Sequence, residues 1–288
     1  MRTVARILVV IGLGVLTASF GGDLHPLGDS LAVFRVAILG WVLLMALAVW
    51  RWRVAQGAVL LCAALIGSTV AQSMPEALDQ PADLVLYQKN LLYLTRDRAG
   101  FADDVLASGA DFVTLQEVSP ANRFLLDELR AAYPYQLPCD VRTRGGVAVL
   151  SRWPVVGDAC FRREGLAGGL FDRNGVHVRV IGVHLPSPWP WRHGTYVDAL
   201  LADFGPLSGD MTLVGGDFNM VPAGRSVARI ARATGTARVG HIERTFEVMG
   251  FPIAIVHVLA SVGTVGTIEV RPRLGSDHFG VVARVALP

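Results

Sequence analysis

Hydrophobic positions in the first 72 residues form long unbroken runs, and beyond them the runs shorten and alternate with turn residues. Residues 4–20 (VARILVVIGLGVLTASF), 31–50 (LAVFRVAILGWVLLMALAVW) and 54–72 (VAQGAVLLCAALIGSTVAQ) each approach the roughly 20 residues a helix needs to cross a bilayer. The first two carry one Arg each and the third no charge. Three such runs, separated by short polar turns, predict three N-terminal transmembrane helices rather than buried helices of a soluble protein.

A short linker with two prolines covers residues 73–82, and a domain over 83–288 follows. Its pattern predicts strands at 84–90, 111–118, 146–152, 176–185, 211–218, 253–261, 267–272 and 279–287. Helical stretches fit 98–108, 120–132, 194–204 and 223–233. Ser119 and Pro120 make a cap and first-turn pair for the second of these. Strands mixed with helices in one domain mean an α/β or α+β layered fold. No internal repeat or low-complexity tract is visible.

Arg placement gives the anchor an orientation. Arg2 and Arg6 precede the first run, residues 21–30 hold two Asp and no Arg or Lys, and Arg51 and Arg53 flank the turn before the third run. The N-terminus and second loop are then inside, and the domain is extracytoplasmic. If the first run is instead a cleaved signal peptide ending near TAS, the domain still lies outside. A bacterial inner-membrane, multi-pass protein is the expected localisation.

Composition agrees with an anchor: 52% of residues are hydrophobic and mean hydropathy is +0.45. Residues 73–288 carry 21 Lys plus Arg against 22 Asp plus Glu, which is not the footprint of a nucleic-acid binder, although a local basic groove remains compatible. Lys89 is the only lysine and reads as genome composition. Of three cysteines, Cys62 lies in a predicted span, while Cys139 and Cys160 lie where a disulfide is permitted but not required. No Cys/His spacing of the zinc type is present.

LVGGDFNMVP, residues 213–222, sets Asp217 and Asn219 two apart, on one face of an extended chain. Gly215 and Gly216 suggest close approach to the backbone. Two readings are open: a site holding a polar group such as a phosphate, or an ordinary Asx turn. Other apolar runs end the same way, in Asn90, Glu117 and His184, and Asp277 and His278 precede the last strand. Singly, each has a structural explanation, such as a core histidine or a turn cap. Converging, they would make an oxygen-ligand site with two acid/base histidines, suited to Mg²⁺ or Mn²⁺ rather than Zn²⁺.

In order, QKN, LQEV, GVAVLSR, GVHL, GGDFN and GSDHF resemble the motifs of the endonuclease/exonuclease/phosphatase superfamily, the deoxyribonuclease-like metal-dependent phosphoesterases. The resemblance covers roughly residues 82–287. The anchor and the PSPWPWRHG segment resemble a membrane-anchored bacterial branch that includes teicoplanin-resistance-type proteins. The family implies a four-layer sandwich of two packed mixed β-sheets flanked by helices, with the site at one end. It implies that Glu117 is the main metal ligand with Asn90 beside it. Asp217 would orient or deprotonate the attacking water, with Asn219 helping to hold it. His184 would bind phosphoryl oxygens, Asp277 would support the metal or nucleophile, and His278 would stabilise the transition state or act as acid/base. The two glycines would admit the scissile phosphate.

One position departs from the pattern. Family members carry an Asp in the strand before the last motif, where it orients the His of that motif; here AIVHVLAS has Val256. Three consequences are open: reduced activity, substitution by another acid such as Glu247 or Asp210, or a relative that binds without turnover. Trp189 and Trp191, directly after His184, suit a membrane interface or base stacking, or a packed proline-rich loop. Arg142, Arg144, Arg152 and Arg192 offer phosphate-binding forks, or are solvated charges. Together these features predict a metal-dependent phosphoesterase or phosphodiesterase, acting on a lipid-linked phosphate such as an undecaprenyl carrier in preference to nucleic acid. A nuclease and a non-catalytic scaffold are the alternatives. No protein partner is inferable.

Overall fold

The structure is a computed structural model that describes all residues except 95–98, 140–145, 158–159, 162, 190–191, 205–206 and 288. Four helices come first: α1 (Arg2–Ala18), α2 (Pro26–Ala32), α3 (Arg35–Ala48) and α4 (Arg53–Gln72). Val9, Leu39, Val42, Ala46, Ala58 and Cys62 pack α1, α3 and α4 against one another. Their outer faces are apolar too, with Val10, Leu44 and Leu60 exposed. A helix apolar all round belongs in a core or a membrane.

Three continuous spans are not what forms. Among the described residues one helix, α4, is long and apolar enough to cross a membrane, and α2 with α3 passes only as a pair bent by 71°. The expected second span is broken because a helix starts early, inside the segment read as a polar loop. Pro26 occupies its first turn and the His25 ring accepts from Leu27 N. At 17 residues, α1 is shorter than the other candidate.

The domain continues with β1 (Leu84–Asn90), α5 (Phe101–Ser108), β2 (Phe112–Val118), α6 (Phe124–Glu128), β3 (Tyr135–Cys139) and β4 (Gly146–Ser151). Then come β5 (Leu166–Arg173), β6 (Val176–His184), α7 (Arg192–Phe204), β7 (Met211–Asp217) and α8 (Arg225–Ala233). Last are β8 (Thr236–Arg238), β9 (Phe246–Val248), β10 (Phe251–Ile253), β11 (Val256–Ser261), β12 (Val265–Arg271) and β13 (Gly280–Ala286). One sheet has the order β12-β13-β1-β2-β4-β3, the second β5-β6-β7-β11-β8, and β9 and β10 form a hairpin. Each large sheet is mixed, with one parallel pair: β1 with β2, and β6 with β7.

Alternation along the strands builds four layers. Leu86, Phe112, Val149, Phe171, Val180, Leu213 and Val258 fill the space between the sheets. The opposite face of the first sheet packs Val113 and Leu150 on Phe101 and Val105 of α5 and Leu125 of α6. On the second sheet, Ile181, Val214 and Leu259 meet Val197 and Leu200 of α7 and Ile230 of α8. Every strand expected from the pattern forms. β3 and β5 do not follow from it, because each hides behind a breaker residue. Pro138 is tolerated since β3 is an edge strand. In β5, a Cβ on Gly169 would sit 2.6 Å from Leu137 Cδ1, so the glycine lets the facing sheet's side chain in. The helix expected over 120–132 shrinks to α6, because Asn122 turns the chain: its amide donates to Glu117 O and accepts from Ser119 N.

Cys139 and Cys160 form a disulfide, Cα–Cα 5.7 Å, tying β3 to the segment before β5. Closing a loop of this length stabilises the fold by about 3 kcal/mol, mainly by restricting the unfolded chain. Reductant should therefore lower the denaturation midpoint of the full-length protein in detergent, and Cys139→Ser should lower it without a further effect of reductant. Superimposable unfolding curves with and without reductant would contradict the bridge's contribution.

Candidate active site

A parallel pair puts two C-terminal strand ends on the same edge of its sheet. β1 and β2 end together, with Asn90 opposite Gln116 and Glu117 next; β6 and β7 end together, with His184 opposite Asp217. The sandwich stacks these two edges, and the carboxyl ends of parallel strands are also where open α/β sheets place their ligands.

Asn90 joins the edges. Its buried Nδ2 donates to Glu117 Oε1 and to Asp217 Oδ2, both at 3.0 Å, while its Oδ1 accepts from Leu92 N. Glu117 sits where the β2–β4 register shifts, with φ 57°, and Tyr93 N donates to its Oε2 at 2.9 Å. A bulge re-aims a side chain, and a positive φ in a non-glycine residue stores strain that surrounding structure must hold. Asp217 is 1% exposed, and its Oδ1 accepts from Asn219 N. Asn219, also at positive φ, donates from Nδ2 to Leu185 O at 2.8 Å.

Two imidazoles complete the cluster. His184 Nε2 lies 3.8 Å from Glu117 Oε1 and 4.0 Å from Asp217 Oδ2. His278 Nε2 lies 3.5 Å from Asp217 Oδ2 and 3.9 Å from Asp277 Oδ1. The Asp277 side chain is half exposed, at the rim. The structure thus gathers Asn90, Glu117, His184, Asp217, Asn219, Asp277 and His278. Among the described residues no ready cage of three or more His, Cys, Asp or Glu is preformed. The donor set nevertheless suits a hard divalent cation: two carboxylates approach one imidazole, and carboxylate and amide oxygens dominate.

Arg152 is not brought to this cluster. Arg152 lies at the far end of β4, where Ser151 pairs with Phe112, and its guanidinium rests over the Tyr133 ring. It has no route to the cluster, because β4 runs antiparallel to β2 and ends away from Glu117. Trp189 is exposed on the segment after His184. Trp191, Arg142 and Arg144 lie outside the described residues, and Arg192 opens α7. Gly215 and Gly216 do not admit a phosphate. A Cβ on Gly215 would fall 2.5 Å from Thr114 Oγ1 of the facing sheet, and one on Gly216 would strike Val183 O. They let strand and sheet approach beneath the site.

Val256 pairs with Asp217 across β11 and β7, so both side chains share a face. His278 Nδ1 is buried without a hydrogen-bond partner. Glu247 pairs with Arg273 at 3.2 Å and Asp210 sits with His177, so neither stands in for the missing acid. Phe246 stacks on the His278 ring instead, centroids 4.5 Å apart.

Several supporting residues escaped the sequence. Lys89 is fully buried, and its ammonium donates to Pro272 O and His278 O, clamping the loop that carries the last motif. Its place inside QKN was the available signal. Ser276 Oγ donates to Asn90 O and accepts from His278 N. Phe246 and Ser276 carry no periodic signature.

The Endonuclease/Exonuclease/phosphatase family model matches residues 87–278. The chain belongs to this family. Its fold is similar to solved structures from several organisms. A humanized D. rerio TDP2 gives TM-score 0.57 at 14% identity, covering 70% of this chain and 98% of that one. An AP endonuclease from Archaeoglobus fulgidus gives 0.55 at 17%, covering 69% and 98%. Beta toxin from Staphylococcus aureus gives 0.51 at 18%, covering 70% and 99%. No match was found among curated proteins. Family members are typically metal-dependent phosphodiesterases or nucleases.

Two histidines behind the site are built to stay neutral. His257 Nε2 donates to Met220 O at 2.7 Å beneath Phe218, and burial pushes its pKa down to about 4. His193, between Pro186 O and Ser226 Oγ, is also lowered by burial. The unfolded chain binds protons from about pH 6.5, so between there and about pH 4 it takes up protons that the fold refuses, and stability falls as pH falls. His257 alone accounts for up to about 3 kcal/mol over that window. Denaturant midpoints measured at several pH values should fall toward acid, and His257→Gln should flatten the slope. An unchanged slope in the variant would contradict this.

Proposed function

We propose that the chain is a membrane-anchored, divalent-metal-dependent phosphoesterase that hydrolyses a phosphoester or pyrophosphate bond, with a lipid-linked phosphate as substrate. The observation that carries this is the convergence of Glu117, Asp217, His184, His278, Asn90 and Asn219 at the carboxyl ends of two parallel strand pairs.

Glu117 and Asn90 would hold Mg²⁺ or Mn²⁺, with Asp277 reaching in from the rim. A divalent ion bound there neutralises charge on the phosphoryl oxygens as the bond breaks. Asp217 orients the attacking water and receives its proton. Its position is fixed by Asn90 and by the Asn219 amide, which leaves Oδ2 directed toward His278. Holding water in line with the leaving oxygen is most of what phosphoryl transfer asks of a protein. His184 meets the phosphoryl oxygens, and His278 stabilises the transition state or protonates the leaving group. With Nδ1 unpartnered, His278 lacks the carboxylate that would fix its tautomer, so turnover is slow relative to a complete site.

Residues 1–72 are read as the anchor and 73–82 as the linker, with the domain outside the bacterial inner membrane. The Arg pattern and the Cys139–Cys160 bridge support that side, since disulfides persist in oxidising compartments. Trp189, exposed on the segment that follows His184, suits an interfacial substrate. A nuclease is the second reading: D. rerio TDP2, similar in fold at TM-score 0.56, has been solved with a single-strand DNA product. The near-neutral charge of the domain weighs against it.

Purified full-length protein in detergent with Mg²⁺ should release phosphate from undecaprenyl pyrophosphate, or a phosphomonoester product from a phospholipid, and not cleave DNA. Asp217→Ala should lower kcat at least about 10³-fold. Preferential, steeply salt-dependent DNA cleavage would replace the lipid reading with the nuclease. Val256→Asp should leave kcat unchanged or raise it, by giving His278 a partner. A sharp loss in a folded Val256→Asp protein would show that Val256 is not the position of the missing acid.

A further inference from the structure

The polypeptide directly after His184 is held at three successive points. Asn219 Nδ2 donates to Leu185 O at 2.8 Å, which belongs to the site itself. His193 Nδ1 donates to Pro186 O at 2.7 Å, and Ser30 Oγ donates to Pro188 O at 2.7 Å. The second and third points lead away from the domain. His193 is 1% exposed, and its Nε2 accepts from Ser226 Oγ at 2.8 Å. Ser226 lies in the first turn of α8, and that turn is capped by a residue from the N-terminal helices. Asp29 of α2 accepts from Arg225 N at 2.7 Å through Oδ1 and from Ser226 N at 3.1 Å through Oδ2.

α8 has no side-chain cap of its own, since Gly224 occupies that position. Asp29 supplies the missing acceptor from nearly 200 residues away and is 7% exposed. A carboxylate at a helix N-terminus satisfies orphan amides and complements the helix dipole. The seat is close-fitting. A Cβ on Gly194 of α7 would lie 3.0 Å from Pro26, and one on Gly22 would fall 2.8 Å from Arg225 Cγ. Arg225 also pairs with Asp23 at 2.5 Å.

We infer that α2 is an intramolecular clamp for the active site, with Asp29 as a positioning residue acting through α8, Ser226 and His193, and Ser30 acting directly on Pro188. The segment between the first and third N-terminal helices thereby fixes the chain that leaves His184 and accepts from Asn219. The anchor region sets the geometry of the site as well as its location. This goes beyond the phosphoesterase reading, and its kinetic consequence rests on that reading.

The test is hydrogen exchange by mass spectrometry on the full-length protein in detergent, comparing wild type with Asp29→Ala, Asp29→Asn and Ser30→Ala. Asp29→Ala should speed exchange about tenfold in peptides covering 184–189 and 225–228, leaving 84–90 and 280–286 unchanged. Asp29→Asn, which keeps one acceptor, should restore part of the protection. Ser30→Ala should loosen 184–189 without 225–228, which keeps the test open if Asp29→Ala does not fold. On an active substrate, Asp29→Ala should lower kcat about tenfold with KM changed less than about twofold. Loosening confined to 225–228 would overturn the proposal, leaving Asp29 as a local cap; so would unaltered exchange throughout. Because exchange needs no substrate, absence of turnover in every protein would count against the phosphoesterase and leave the clamp to be decided by exchange.

Discussion

The two hydrogen bonds from Asn90 Nδ2 to Glu117 and Asp217 are what make one site out of two sheets. Each carboxylate belongs to a different sheet, each is sheltered from water, and like charges brought this close repel. The amide between them offsets part of that repulsion and fixes their separation. Everything near it is arranged to keep Asn90 in place. Its carbonyl accepts from Ser276 Oγ, which in turn accepts from His278 N. The neighbouring Lys89 binds the same loop from beneath.

Parallel pairing explains why such a constellation arises at this end. Among the described residues the strand pairs β1–β2 and β6–β7 each send two C-termini to one edge, and each pair delivers an amide or imidazole beside a carboxylate. Glycines at 215 and 216 then let the sheets close in below it. The N-terminal helices meet the same end of the sandwich. α2 seats against α7 and α8, and Ile242 N donates to Gln72 O at the end of α4. The N-terminal helices and the edge that carries the cluster are therefore parts of one packing solution, in which the segment after His184 is the shared boundary.

Strand positions were legible because buried strands such as LVLYQKN and MTLVGGD are continuous apolar runs ending in a polar group. The site was legible for the same reason: Asn90, Glu117, His184 and Asp217 interrupt those runs at their ends. β3 and β5 were hidden by Pro138 and Gly168–Gly169, whose tolerance depends on an edge position and a facing side chain. Arg152 looked like a phosphate ligand because a sequence does not reveal which end of a strand faces the site. The break between α2 and α3 was hidden by uniformly apolar composition, and the role of Asp29 by its distance along the chain from α8. Val256, the departure from the family resemblance, pairs with Asp217 across β11 and β7, and His278 Nδ1 is buried without a hydrogen-bond partner.

The most direct test of a cation site assembled by Asn90 and Glu117, with Asp277 at its rim, is calorimetric titration of the full-length protein with Mn²⁺. The account predicts saturable binding in wild type, weakened at least about tenfold in Glu117→Gln. An unchanged affinity in Glu117→Gln, or no saturable binding by folded wild-type protein, would contradict it.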